Sequence, residues 1–192
     1  MNNHDIVPFQ LMDETTAPEN SKPYLIKAKA TFGLIPNVEK IMAQAPALLG
    51  SYMNAWDQFD ETTLSPIERQ IVYQAANFEN NCEYCTPWHT ILSENAGTSP
   101  EDVRALRDGG VLSDAKHEAL RLFATNLLRT HGNIAPTALK AFFVAGYNEQ
   151  QALEVILGLS IKVMSNYTNA IAQTPLDDAA QSKKWQKPSL RA

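Results

Sequence analysis

Along most of this chain apolar residues recur at spacings of three and four, the period of a helix with one buried face. The breaks between such stretches carry proline, glycine or a capping side chain. Pro23 opens a first stretch that Gly33 closes, Pro36 opens a second, and Pro46 a third that runs to Phe59. Ser65-Pro66-Ile67-Glu68 combines an N-cap serine, proline at the first helical position and glutamate where a capping box needs it, which predicts a helix from about Pro66 to Phe78. Beyond residues 80–89, Gly97 ends one helix, Ser99-Pro100 starts a short one that stops at Gly109-Gly110, and Ser113 starts another that reaches roughly Thr130. A final pair runs from about Pro136 to Ala145, before Gly146, and from about Asn148 to Ile171, before Pro175. No alternating run of strand length competes with these stretches. The expectation is an all-α domain of eight or nine helices with short connections, packed as a bundle or orthogonally.

At 192 residues, 44% hydrophobic and 19% charged, the chain has the size and composition of one compact domain. We divide it into an N-terminal arm (1–22), a helical domain (23–180) and a polar, basic C-terminal tail (181–192) expected to be loose. The arm lacks helical periodicity and suits packing on a second subunit. A net charge of −5 without a Lys/Arg run argues against a nucleic-acid partner. The first residues lack the basic and apolar regions of a secretory signal, so the cytoplasm is the expected compartment. The most apolar stretch, Ala152 to Met164, is too short to span a bilayer and is interrupted by Lys162; it predicts a buried helix and no membrane partner.

Only two cysteines are present, and they stand three residues apart in Asn80-Asn81-Cys82-Glu83-Tyr84-Cys85-Thr86-Pro87-Trp88-His89. In a reducing compartment such a pair points to redox or metal chemistry rather than to a structural staple. On a helix, Cys82, Cys85 and His89 would share one face, bringing two thiols and an imidazole together. Pro87 is tolerated only in a first turn, so either the helix begins near Tyr84, with Cys85 in its first turn, or the segment kinks before His89. The first arrangement also favours a thiolate at Cys85. Two blander readings compete. The thiols can be small buried hydrophobes beside a core histidine. A zinc site lacks ligands, because His4, His117 and His131 fall in the arm, a charged helix and a turn. A thioredoxin-type domain would need a βαβ context that is missing.

The run Leu64-Ser65-Pro66, a helix, then Asn81-Cys82-Glu83-Tyr84-Cys85 and His89 resembles the AhpD-like, carboxymuconolactone decarboxylase-like superfamily, in its peroxidase-related branch. Residues 32–37, 45–49 and the Asn166-Tyr167-Thr168-Asn169 helix look like the same branch, so the resemblance spans about Pro23 to Asp178. It implies a single all-helical AhpD-like domain assembled into trimers or hexamers, with no cofactor and no metal. It also implies that Cys85 is the peroxidatic thiol, Cys82 the resolving thiol and His89 a proton relay. The implied partners are a peroxide substrate and an external dithiol reductant, a lipoyl or thioredoxin-like protein.

The chain departs from the family pattern at two positions. Gln70 stands where the family places a relay glutamate, and Tyr84 where some members carry histidine. Gln70 shares the inner edge of its helix with Ile67, Ile71 and Gln74, and can orient an imidazole without acting as a base. A carboxylate there is expected to speed Cys85 oxidation. Glu68, the nearest other carboxylate, suits a capping box better than a relay. Trp56, Trp88, Tyr52 and Phe59 are expected mainly in the core or an interface, and Asn166 and Asn169 at an interface or the pocket. Two further functions stay open: a lactone decarboxylase-like lyase, which needs a base but no cysteine pair, and a non-catalytic redox-sensing oligomer.

Overall fold

A computed structural model of the chain describes residues 9–188 and builds them from nine α-helices and two 3-10 turns. The helices are α1 (Lys22–Phe32), α2 (Asn37–Met42), α3 (Pro46–Asp60), α4 (Pro66–Glu79), α5 (Cys85–Asn95), α6 (Pro100–Asp108), α7 (Ala115–Arg129), α8 (Pro136–Val144) and α9 (Glu149–Ala172). The all-α expectation holds, and the prolines stand where they were expected. Five of the nine helices carry proline at their first or second position, where its missing N–H costs nothing.

Caps account for the sharp boundaries. Ser65 Oγ accepts the Glu68 N–H at 3.2 Å while Glu68 Oε2 accepts the Ser65 N–H at 2.8 Å, closing the capping box that starts α4. Helix α7 begins one residue later than expected. Asp102 accepts both the Ser113 N–H (2.7 Å) and its hydroxyl (2.9 Å), so Ser113 is spent on α6 and Asp114 caps α7 instead.

Helix α4 is the centre of the packing, meeting α5, α6, α7 and α9. Its buried Ile71, Val72, Tyr73 and Ala76 join Phe59 of α3 and Leu120 and Phe123 of α7 in the core. Helix α9 crosses α3 and α4 at Gly158, where a Cβ would lie 2.6 Å from Phe59 Cζ and 2.9 Å from Val72 Cγ1. That close approach sets the long α9 flush against the elements that carry the cysteines.

The chain ends differ from expectation. Within the arm, Ala17 and Ser21 are buried, and the Ser21 hydroxyl donates to the Ala43 carbonyl at 2.8 Å. Residues 181–188, the described part of the tail, are not loose. A 3-10 turn (Asp178–Lys183) lies on α5, and Trp185 is buried with its indole N–H donating to the Arg107 carbonyl at 2.8 Å. Burying one large indole outweighs the polarity of its neighbours. Residues 1–8 of the arm, with His4, and 189–192 of the tail lie outside the described residues. Among the described residues, no helix is long and apolar enough to cross a membrane.

Candidate active site

Helix α5 begins at Cys85, which puts Pro87 in its first turn and leaves Cys82 in the preceding bend. Asn81 reaches that bend through φ = 52°, a left-handed conformation that asparagine tolerates better than most residues. The Cys82 N–H then donates to the Asn77 carbonyl at 2.9 Å, locking the bend onto the end of α4. The two thiols are therefore neighbours, but not on one helix face. The Cys85 N–H donates to Cys82 Sγ at 3.2 Å. Both thiols are free and buried.

Cys85 Sγ sits at the end of α5 where backbone N–H groups point outward, and it receives two side-chain amides from α9: Asn166 Nδ2 at 3.1 Å and Asn169 Nδ2 at 3.2 Å. Asn169 Nδ2 also reaches Cys82 Sγ at 3.9 Å. Asn166 is aimed by its own partners. It donates to Asn77 Oδ1 at 3.0 Å and accepts from Asn80 Nδ2 at 2.9 Å. One helical turn before Asn166 on the same face of α9 stands Lys162, only 1% exposed.

These neighbours set the thiol's ionisation. Burial raises the Cys85 pKa, but the Cys82 thiol, the Lys162 charge and the amides of Asn169 and Asn166 together bring it down to about 6. Cys82 goes the other way. Burial first, then its interactions with Cys85, hold it well above the ordinary thiol value. At neutral pH the pair carries one thiolate, on Cys85.

His89 is one turn along α5 from Cys85, yet among the described residues no hydrogen bond joins it to either sulfur. Its Nδ1 lies 2.8 Å from Gln70 Oε1 and its Nε2 lies 2.9 Å from Lys162 Nζ. An amide oxygen only accepts, so Nδ1 carries the proton and Nε2 is left to accept from the lysine. Burial and the Lys162 charge both depress the His89 pKa, which keeps this tautomer neutral. The ring packs against Trp56, stacked at 5.8 Å, and Tyr73 at 4.8 Å, which themselves stack at 5.1 Å. Gln70 thus contacts the imidazole. Glu68 does not: beyond its capping box it pairs with Lys116 at 3.5 Å.

A cavity of about 30 Å³ opens on Cys85, His89 and Lys162, walled by Phe32, Tyr52, Trp56 and Trp88, with Glu39 of α2 in its lining. Its roof hangs on Asp177, which follows α9. Asp177 Oδ2 accepts the Tyr84 hydroxyl at 2.5 Å and the Trp88 indole N–H at 2.9 Å, and Oδ1 accepts the Asn37 N–H at 3.1 Å. On the Cys82 side lies a separate polar cavity of about 370 Å³, lined by Asn80, Asn81, Glu83, Asn169 and Gln173. Among the described residues, no cluster of three or more His, Cys, Asp or Glu is placed to hold a metal ion.

Lys162, Glu39 and Asp177 had no functional place in the sequence reading. For Lys162 a signal existed, because positions 162, 166 and 169 fall on one stripe of an otherwise apolar helix.

Residues 44–125 match the model of the carboxymuconolactone decarboxylase family. No curated protein matches the sequence. Among solved structures, an uncharacterized peroxidase-related protein from Ralstonia eutropha JMP134, described as an alkylhydroperoxidase AhpD core, is similar at 16% identity and a TM-score of 0.78 over 92% of this chain and 95% of its own. An uncharacterized peroxidase-related protein from Silicibacter sp. TM1040 gives 17%, 0.76, 94% and 97% for the same quantities, and the debrominase Bmp8 gives 17%, 0.71, 94% and 96%. At these identities the likeness is one of fold.

Proposed function

We propose that the chain, which matches the carboxymuconolactone decarboxylase family over residues 44–125 and has a fold similar to an AhpD core, is a thiol-dependent peroxidase and disulfide oxidoreductase working through Cys85 and Cys82. The observation that carries this reading is the seating of Cys85 Sγ, which receives amides from Asn166 and Asn169 beside the buried Lys162, within reach of a second thiol. A buried thiol with no chemical role needs neither two amide donors nor a buried cation.

In this reading the Cys85 thiolate attacks the terminal oxygen of a hydroperoxide, the O–O bond breaks, and Cys85 becomes a sulfenic acid. Cys82 then condenses with the sulfenic acid, releasing water and leaving a disulfide. An external dithiol, of lipoyl or thioredoxin type, returns both cysteines to thiols and is itself oxidised to a disulfide. His89 is a positioning residue here, holding Lys162 toward the thiol instead of relaying protons. Mass spectrometry after a peroxide pulse tests the scheme. A Cys82–Cys85 disulfide is expected in the wild type and a sulfenic acid on Cys85 in Cys82→Ser; thiols unchanged in both refute it.

A second reading rests on the aromatic walls of the Cys85 cavity. Phe32, Trp56 and Trp88 are in its lining, and the similar fold of the debrominase Bmp8 raises reductive dehalogenation by the same cysteine pair, for which the cavity of about 30 Å³ would have to widen to admit a ring. Halide release from a brominated heteroaromatic in the presence of a dithiol would favour it over peroxide turnover.

The partner of the chain is proposed to be a second copy of itself. Leu153, Ile156, Val163, Tyr167 and Ile171 form an exposed apolar stripe along the whole of α9, opposite its buried face. Light scattering should report an oligomer, trimer or hexamer by the family resemblance; a monomer at micromolar concentration would contradict this.

A further inference from the structure

With both ring nitrogens of His89 engaged, the oxygen that leaves when Cys85 is oxidised needs a proton from elsewhere. Resting on the peroxidase reading, we propose that Glu39 is the general acid of the thiol cavity, and that it is recharged from solvent through a second, acidic cavity on its other side.

Glu39 is 3% exposed, and its Oε2 has no hydrogen-bond partner although it is buried in the lining of the Cys85 cavity. An uncompensated buried carboxyl oxygen is costly and uncommon. The helix that carries it is fixed over the cavity. Asp177 accepts the Asn37 N–H and the Tyr84 hydroxyl oxygen accepts the Val38 N–H at 3.2 Å, the two residues that precede Glu39. Glu39 is thereby held in the lining of the cavity that Cys85, His89 and Lys162 share.

A second cavity, of about 80 Å³, lies behind it, lined by Lys27, Thr31, Asp57 and Asp60. Phe32, Glu39, Tyr52 and Trp56 border both cavities. Of these four, Glu39 is the one able to exchange protons near neutrality, since burial lifts the Tyr52 hydroxyl well above its ordinary value. The charged and titratable groups around Glu39 are Lys162 of α9, Cys85 of α5, Tyr52 of α3, Tyr84 before α5, and Asp177. Across the second cavity stand Asp57, paired with Lys27, and Asp60, paired with Arg69 at 3.3 Å. Burial dominates and, helped by Asp177 and Cys85 against a backbone hydrogen bond and Lys162, raises Glu39 to about 8, so that it holds its proton at neutral pH.

The step balances. The Cys85 thiolate attacks the terminal oxygen of ROOH, an S–O bond forms and the O–O bond breaks. Sulfur is oxidised by two electrons and the peroxide is reduced. The departing RO⁻ takes the Glu39 proton and leaves as ROH, while Cys85 keeps the hydroxyl as sulfenic acid and Glu39 is left as carboxylate. When reduction returns Cys85 to the thiolate, water in the second cavity reprotonates Glu39.

The test uses the leaving group. An alkoxide needs a proton to depart, whereas the carboxylate that leaves from a peracid does not. Single-turnover oxidation of Cys85 near pH 6 in Glu39→Gln should be at least about a hundredfold slower than wild type with an alkyl hydroperoxide and within about threefold with a peracid. Alkylation should still report a Cys85 pKa near 6 in the variant. Equal losses with both oxidants, or no loss with either, overturn the proposal and leave the peroxidase reading standing. A wild type inert to both removes the reading and the proposal with it. Should Glu39→Gln not fold, the wild type decides alone. Its alkyl hydroperoxide rate should rise through about 6 with Cys85 and fall through about 8 with Glu39, and a rate that stays level above pH 8 overturns the assignment.

Discussion

Replacing Lys162 by methionine removes the buried cation beside Cys85 while keeping most of the side chain's volume. At an effective dielectric of about 20, any two unit charges about 4–6 Å apart interact by about 3–4 kcal/mol, which is about two to three pKa units. The Cys85 pKa should therefore climb from about 6 to roughly 8–9 in the variant. At pH 7 the thiolate fraction then falls about thirtyfold, but a more basic thiolate is also a better nucleophile, by about tenfold at a Brønsted slope of about 0.4–0.5. The two effects nearly cancel at neutral pH and separate on either side. Peroxide oxidation of Cys85 should be about tenfold slower than wild type at pH 6 and about tenfold faster at pH 9. The assay is stopped-flow oxidation across pH, paired with thiolate absorbance, in a Cys82→Ser background whose hydroxyl keeps a donor beside Cys85. A pKa that stays within half a unit of the parent's, or a variant slower at every pH, would show that the amides and not the lysine set the thiolate.

Gln70→Glu is now expected to slow Cys85 oxidation near pH 6. A carboxylate on Nδ1 favours the imidazolium, whose Nε2–H then opposes the Lys162 ammonium that Nε2 accepts from in the wild type; a faster variant would restore His89 as the working base. Glu39 has a raised pKa in the folded protein, so its contribution is fully present below about 4.5 and is lost as pH rises toward about 8. Thermal melts of Glu39→Gln should match wild type near pH 4 and lie above it near pH 8, and a constant difference across that window would contradict the burial argument. Gly158→Ala gains about 1 kcal/mol of helix propensity but forces a methyl into Phe59 and Val72, at a cost of about 1–3 kcal/mol. The net effect should lower the melting temperature by a few degrees, and an unchanged or higher value would mean α9 shifts freely.

Much of the fold was legible because helix starts are local chemistry. Ser65-Pro66-Ile67-Glu68 and Asn148 with Gln151 each contain their whole capping box within four residues. The cysteine pair was equally legible, and Pro87 located the start of α5. What could not be read were residues whose role comes from where another element lies. Asp177 looks like a surface acid after Pro175, yet it joins Tyr84, Trp88 and α2 across about 90 to 140 residues of sequence separation. Glu39 has the sequence surroundings of a solvated helix position, and only the packing of α2 under α3 and α9 buries it. His89 shows the limit most sharply. The i, i+4 spacing places it one turn from Cys85, but the partners of its two nitrogens come from α4 and α9, and they decide that it holds a cation instead of drawing a proton. The packed segment around Trp185 was missed because composition averaged a single indole over a polar stretch.

The charge arithmetic of the cavity ties these groups together. In the reduced protein one anion, the Cys85 thiolate, faces one cation, Lys162, while His89 and Glu39 are both neutral. Oxidation removes the anion. If nothing else changed, Lys162 would become an unpaired buried charge, a state costing several kcal/mol. The transfer of the Glu39 proton to the leaving oxygen creates a carboxylate in the same step, so the charge facing Lys162 does not change through the reaction. The same exchange makes Glu39 a stronger acid once it is needed as an anion, because the Cys85 charge that raises its pKa disappears while the Lys162 charge that lowers it remains. Reduction reverses the sequence: the returning Cys85 thiolate drives a proton back onto Glu39 from the acidic cavity. A neutral glutamine at position 70 fits this scheme, since a carboxylate there would favour the imidazolium and set a second cation against the Lys162 ammonium.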